Sequence, residues 1–185
     1  YAHTPDALLQ TLKSLIANYG DHISLVFGCG GDRDKKKRPL MAKIAKEHCK
    51  KVYITDDNPR NESPKKIRTQ ILKYISKNKV FNIGSRELAI KKAIKNAEPK
   101  EIILVAGKGH EAQQIYKNRI LNISDKQIIR KIKIKPKIAN RIKDNYSQNK
   151  LILSKILGKV KSINFNGLSI DSRTIKKGNL FLAIK

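Results

Sequence analysis

Apolar residues along this chain alternate between two spacings. Leu8, Leu12, Leu15, Ile16 and Tyr19 recur at the repeat of an amphipathic helix, and residues 23–27 follow as an unbroken apolar run short enough for a buried strand. The exchange then repeats. A helix over residues 39–48 leads into an apolar run at 52–54. Ile67, Ile71, Leu72 and Ile75 mark a helix before a strand at 80–83, and Leu88, Ala89, Ala93 and Ile94 mark another before the buried run 102–106. Helix-start chemistry stands where the pattern needs it, at Thr4-Pro5-Asp6, Ser63-Pro64 and Ser85, and Gly20 supplies a stop. This alternation predicts an α/β fold, a Rossmann-like doubly wound, mostly parallel sheet with helices on both faces.

Residues 113–116 and 119–123, joined by Lys117-Asn118, read as a hairpin at the edge of that sheet, and Ser124-Asp125 as the cap of a last helix ending near Ile132. The first domain therefore spans residues 1–132. The lysine-rich stretch 133–149, with Pro136, reads as a basic linker. Residues 150–185 return to an apolar pattern and read as a partial second α/β unit ending in a strand at 180–184.

Three strands finish in glycine or polar turns, at the carboxyl edge where open α/β sheets bind ligands. The turns are Gly28-Cys29-Gly30-Gly31-Asp32-Arg33-Asp34, Thr55-Asp56-Asp57-Asn58-Pro59-Arg60 and Gly107-Lys108-Gly109-His110-Glu111. Arg33 and Arg60 offer planar forks suited to carboxylates, Pro59 stiffens the backbone that presents Asn58 and Arg60, and Glu111 can accept from an ammonium group. The plainest reading of the third turn is a glycine turn with Lys108 and His110 in solvent; against it, three such turns at one edge carry Arg33, Arg60 and Glu111. The glycines match neither the phosphate loop GxxxxGK[ST] nor the GxGxxG spacing, and no HExxH or Ser/His/Asp order is present. The edge reads as a recognition surface for an amino acid or a dicarboxylate, without catalytic residues of its own. His3, just ahead of the first helix, could reach a phosphate or a ribose.

Charge changes the picture less than its size suggests. A net +26 over 185 residues would ordinarily point to nucleic acid. Here 32 of the 41 basic residues are Lys, spread along the whole chain without interleaved aromatics, and Ile and Asn are also abundant. A solvated, compositionally biased surface accounts for this, with a basic nucleic-acid-binding module as the competing class. No apolar stretch approaches a membrane span and the start lacks a secretory pattern, so a cytoplasmic location is expected. Cys29 and Cys49 have no CxxC spacing and are expected as reduced thiols, with no metal site.

The segments YAHTPDAL, FGCGGDRDKKKRPLM, TDDNPR and LVAGKGHE occur in this order, and together they make residues 1–132 resemble the C-terminal domain of the Mur ligases, in particular the branch that adds diaminopimelate. The resemblance implies that Arg33, Asp57, Asn58, Pro59, Arg60, Gly107 and Glu111 contact meso-diaminopimelate. Arg60 would pair with the carboxylate that lysine, the substrate of related ligases, lacks. His3 would face the nucleotide. The family reaction it implies uses ATP and Mg2+ to phosphorylate a carboxyl of the UDP-N-acetylmuramoyl dipeptide, and the amine of diaminopimelate then displaces phosphate to form an amide. The family's phosphate loop and its UDP-binding domain are not in this sequence. A central ATPase domain of the parent chain would therefore be a partner, and the fragment alone would not turn over. The stretch GLSIDSRTIKKGNLFLAIK resembles the start of a Mur ligase N-terminal domain, which implies a parent chain fusing two ligases.

Overall fold

The structure, a computed structural model, describes residues 2–132 together with the backbone of 167–169 and 179–182. The expected linker, and most of the expected second unit, lie outside the described residues. Helix α1 (Pro5–Tyr19) starts as its cap predicts. Thr4 Oγ1 accepts the Ala7 N–H at 3.3 Å, and Gly20 closes the helix by donating its N–H to the Ile16 carbonyl. There follow β1 (Ile23–Phe27), α2 (Lys37–His48), β2 (Lys51–Ile54), α3 (Pro64–Leu72), β3 (Val80–Asn82), α4 (Arg86–Lys95) and β4 (Ile102–Val105). Ser63 and Ser85 cap α3 and α4, accepting from Lys66 N and Leu88 N.

The four strands pair in parallel in the order β3-β2-β1-β4. Two short strands from the tail, β7 (Gly167–Ser169) and β8 (Asn179–Leu182), extend the same sheet in parallel, with β8 against β4. The chain steps outward from β1 to β3 and then returns to β4 on the other side of β1. The carboxyl ends of β1 and β4 therefore flank a topological switch point, where such sheets open a crevice.

Successive strand residues face opposite layers, as a two-residue period requires. Leu25, Phe27, Val52, Ile54 and Leu104 pack with Leu8, Leu12, Met41, Ala45, Ile67 and Ile71 of α1 to α3. Val26, Tyr53, Ile103 and Val105 pack with Ala89, Ile90, Ala93 and Ile94 of α4 and Ile128 and Ile129 of α5 (Asp125–Lys131). Each fully buried Leu, Ile or Val in these layers contributes about 2 kcal/mol of transfer free energy.

Three expectations need correction. Leu88 is exposed, and Ile90, two positions on, takes the core position on α4. Ser124 makes no side-chain capping bond; Asp125 is instead turned inward onto Arg86. The hairpin of β5 (Gln113–Tyr116) and β6 (Arg119–Asn122) is a separate two-stranded sheet. It is joined to the turn after β2 by a bridge between Arg60 and Tyr116, so it lies by the strand ends and not along the sheet's edge.

Candidate functional site

The turn after β2 is the centre of the site because both neighbouring turns and the hairpin close on it. Gly31, after β1, donates its N–H to the Asn58 carbonyl at 2.9 Å. A Cβ at Gly31 would stand 1.8 Å from the Pro59 carbonyl oxygen, so only glycine permits this approach. From the other side Gly107, at φ 107°, lies against Asp57, whose Oδ2 would be 2.8 Å from an added Cβ. The hairpin adds four bonds: Arg60 N donates to the Ile115 carbonyl (3.0 Å), Ile115 N to Asn58 Oδ1 (3.0 Å), Gln114 Nε2 to the Asp56 carbonyl (2.9 Å), and the Tyr116 hydroxyl to Asp56 Oδ2 (2.9 Å).

These constraints set the side chains. Arg60 sits at φ 52°, a left-handed conformation that costs a non-glycine residue of order 1 kcal/mol and persists where surrounding contacts over-determine it. Its Nη1 donates to the carbonyls of Gly31 (3.0 Å) and Asn58 (3.2 Å), and its remaining donors meet no described residue. Arg33 is exposed, without an ion pair to a described residue. It approaches Arg60 around Gly30, at which a Cβ would be 3.0 Å from Arg60 Nη1 and 3.7 Å from Arg33 Cγ. Asp57 is buried and accepts no hydrogen bond from a described residue. Asn58 Nδ2 donates to Glu111 Oε2 at 2.8 Å, and Oε1 of the half-open Glu111 receives no donor from a described residue.

Of the expected residues, Asp57, Asn58, Pro59, Arg60, Gly107 and Glu111 thus share one edge, with Arg33 beside them. His3 is exposed ahead of α1, and its carbonyl accepts Lys37 Nζ at 3.2 Å near the start of α2. Open guanidinium donors next to open carboxylate acceptors suit a zwitterion, since each end of an amino-acid group finds a charged hydrogen-bonding partner.

Several participants were not singled out from the sequence. Lys108, which a plain glycine turn would leave in solvent, is completely buried. Arg38 is buried as well, donating to Glu62 (3.0 and 2.9 Å), Gln70 (2.6 Å) and the Gly30 carbonyl (3.1 Å), and so ties the first two turns to α3. The Arg38 hydrogen bonds hold the Glu62 carboxyl below its ordinary range. Arg86 pairs with both oxygens of Asp125 at 2.7 Å and donates to the Ala106 carbonyl. Burial works against its charge, but Asp125 more than offsets this and keeps the guanidinium protonated. Tyr116 donates its hydroxyl to Asp56 Oδ2 at 2.9 Å, and burial, with the Asp56 charge, raises its pKa. A signal for the arginines was present in the sequence, in acidic and amide residues spaced along later elements, but only the fold shows which pairs meet.

A cavity of about 530 Å3 opens beside the hairpin, lined by Asp56, Arg68, Arg86, Gln114, Tyr116 and Arg119 among others. None of Asp57, Asn58, Arg60, Gly107 or Glu111 lines it, so this cavity is separate from the edge that carries them. Among the described residues no cluster of His, Cys, Asp or Glu could hold a metal ion, and no helix is long and apolar enough to cross a membrane. Burial pushes the thiols of Cys29 and Cys49 up to about 12, so both are inert at neutral pH.

Comparison with known proteins gives the geometry its context. The family model described as "Mur ligase, glutamate ligase domain" matches residues 1–109. The chain belongs to the Mur ligase family. It is 52% identical over 130 residues to the UDP-N-acetylmuramoyl-L-alanyl-D-glutamate--2,6-diaminopimelate ligase of Buchnera aphidicola subsp. Acyrthosiphon pisum, covering 70% of this chain and 26% of the relative. To the ligase of that name from Rickettsia typhi it is 50% identical over 133 residues, covering 71% and 27%. A solved structure of a ligase of that name aligns with a TM-score of 0.65 at 40% identity, over 70% of this chain and 27% of its own. The chain thus spans about a quarter of the length of these relatives, and the parallel α/β fold expected from the pattern is theirs.

Proposed function

We propose that this chain is the amino-acid-binding part of an ATP-dependent ligase that joins meso-2,6-diaminopimelate to UDP-N-acetylmuramoyl-L-alanyl-D-glutamate in peptidoglycan precursor synthesis. One observation carries the reading. Arg60 is fixed through one nitrogen and a strained backbone while its other donors meet no described residue, beside a buried Asp57 carboxylate and a Glu111 oxygen that accept from no described residue either. Such a fork accounts for a carboxylate and the acceptors for an ammonium group, the two charges at the distal end of diaminopimelate. Arg33 suits the same end, and Pro59, Asn58 and Gly107 shape it. The names of the relatives support the same substrate.

The chemical contribution of these residues is orientation. Holding the distal group leaves the other amine free to meet an activated carboxyl group, and converting that encounter into a positioned one lowers the barrier. Closure of the domain over the reacting centre would exclude water from an activated acyl group. The described residues do not fit Mg2+, and the sequence has no phosphate loop, so ATP and Mg2+ are assigned to the central domain of the parent chain. His3 is assigned to the nucleotide side. A cytoplasmic site of action follows from the nucleotide-linked substrate.

The test is amino-acid selectivity of the full-length enzyme. Wild type is expected to use diaminopimelate far better than lysine, and Arg60→Ala to lose most of that preference. Equal use of lysine by wild type would overturn the assignment in favour of a lysine-adding ligase.

For residues 150–185 we infer the start of a second Mur ligase, on the strength of the GLSIDSRTIKKGNLFLAIK pattern and of relatives that match over only 130 to 133 residues. The parent reading frame is expected to continue into another central ATPase domain. A stop codon soon after Lys185 would end that proposal.

A further inference from the structure

Lys108 has no role in the recognition edge as described so far, yet its side chain is 0% exposed within it. The backbone explains the inward course. Gly107 and Gly109, at φ 107° and 57°, flank it in conformations that L residues rarely adopt. Its ammonium group is surrounded by three acceptors: Asn58 Oδ1 at 3.1 Å, Glu111 Oε2 at 3.3 Å, and the Gln113 carbonyl. A lysine ammonium has three donors, so none is left for a ligand. The role open to it is therefore an indirect one.

We propose that Lys108 is a positioning residue of the amino-acid site, fixing Asn58 and Glu111 so that one Glu111 oxygen is held open toward the incoming ammonium group. The inference rests on the function proposed above. Asn58 Oδ1 receives two donors, Lys108 Nζ and Ile115 N, and this settles which end of the amide is oxygen. Nδ2 is then directed onto Glu111 Oε2, which also receives Lys108. Glu111 is thereby held at one oxygen by two donors and free at the other, although 42% of its side chain is exposed. Without the ammonium group, Asn58 Oδ1 keeps one donor, and Glu111 keeps the Asn58 amide but loses its one ion pair to a described residue. The acceptor is then held by a single neutral donor, and a ligand must complete its ordering on binding.

The experiment uses the full-length ligase with Lys108→Met, Glu111→Gln, the double variant and Arg60→Ala, measured by steady-state kinetics. Lys108→Met is expected to raise KM for diaminopimelate at least tenfold, while KM for ATP and for the muramoyl dipeptide, and kcat, stay within twofold. In the double variant the two effects should not multiply, because Lys108 acts through Glu111. A general structural role would lower kcat and disturb all three KM values. If Glu111→Gln and Arg60→Ala raise KM for diaminopimelate but Lys108→Met leaves it within twofold, or if the single effects multiply, the Lys108 proposal is wrong and the site stands. If neither Glu111→Gln nor Arg60→Ala moves that KM, the site assignment itself fails and the proposal with it. Should Lys108→Met not fold, Lys108→Gln retains a donor without the charge. A selective rise in KM of threefold or more supports the proposal there, and a smaller one overturns it.

Discussion

The two ends of the parallel sheet use the same residue types in opposite ways. At the amino end, Glu101 is buried and accepts the Ser24 hydroxyl on one oxygen, and Lys51 Nζ (3.2 Å) and Glu98 N (2.7 Å) on the other. Lys51 also reaches Glu98 (3.0 Å) and the Asn96 carbonyl (3.1 Å), and Lys50 reaches Glu98 at 2.7 Å. Each charge there is matched by another. At the carboxyl end and among the described residues, Arg33 makes no ion pair, Arg60 is half engaged, Asp57 accepts no hydrogen bond, and one Glu111 oxygen receives no donor. A closed network spends its hydrogen-bonding capacity on the fold, whereas an open one retains it for a ligand. Under the proposed function, the first end serves stability and the second recognition.

The sharpest way to break this comparison is to swap the expected readouts. Glu101→Ala removes the acceptor from the buried side of the amino-end network and strands the buried Ser24 hydroxyl and the Glu98 N–H, while Lys51 keeps Glu98 and the Asn96 carbonyl. It should cost about 3 kcal/mol in denaturant unfolding, the scale of a broken buried pair. KM for diaminopimelate in the full-length enzyme should not change. Arg60→Ala should do the reverse. Its backbone bond to Ile115 survives, so unfolding should shift by less than about 1 kcal/mol, while kcat/KM for diaminopimelate falls about a hundredfold, about 2.7 kcal/mol of transition-state binding. A large loss of stability in Arg60→Ala without a loss of selectivity would show that the carboxyl edge is scaffold too. Arg33→Ala, truncating an exposed cation without partners, should lower kcat/KM only about fivefold, about 1 kcal/mol, and leave unfolding unchanged.

How much of this was legible beforehand divides along the same line. Periodicity carried α1 to α4 and the four core strands, because helices and strands that each bury one face must repeat at 3.6 and 2 residues. The turn residues Asp57, Asn58, Arg60, Gly107 and Glu111 were legible because they follow apolar runs directly, and a parallel sheet brings such turns to one edge. Lys108 was not legible. Its burial depends on two glycine conformations and on a hairpin returning over the turn, neither of which a local pattern contains. Leu88 was misplaced because the face of α4 that packs inward is the stripe of Arg86, Ala89, Ile90, Ala93 and Ile94, which leaves Leu88 outside it. Arg38 and Arg33 lie five residues apart in one basic stretch, yet one is buried and the other open. Glu62 and Gln70, distant in sequence, make that distinction.

The smallest expected effect tests the amino end by pH. Hydrogen bonds from Lys50 and then Lys51 lower the Glu98 carboxyl to about 2 although its side chain is exposed. A carboxyl whose pKa is depressed in the folded state favours folding while it is ionised. Its contribution is therefore complete above the ordinary glutamate value of about 4.3 and is lost as pH falls from there toward about 2. Carbon-detected NMR titration should place the Glu98 midpoint near the lower figure. Lys50→Met should return it toward the ordinary range, and raised salt should do so in part, since an exposed pair is screened. Glu98→Gln should flatten this acid limb slightly and leave diaminopimelate binding unchanged. A Glu98 that titrates at its ordinary value, even at low salt, would mean that the lysines do not close on it. The amino end would then be as open as the carboxyl end, and openness could no longer mark where the ligand binds.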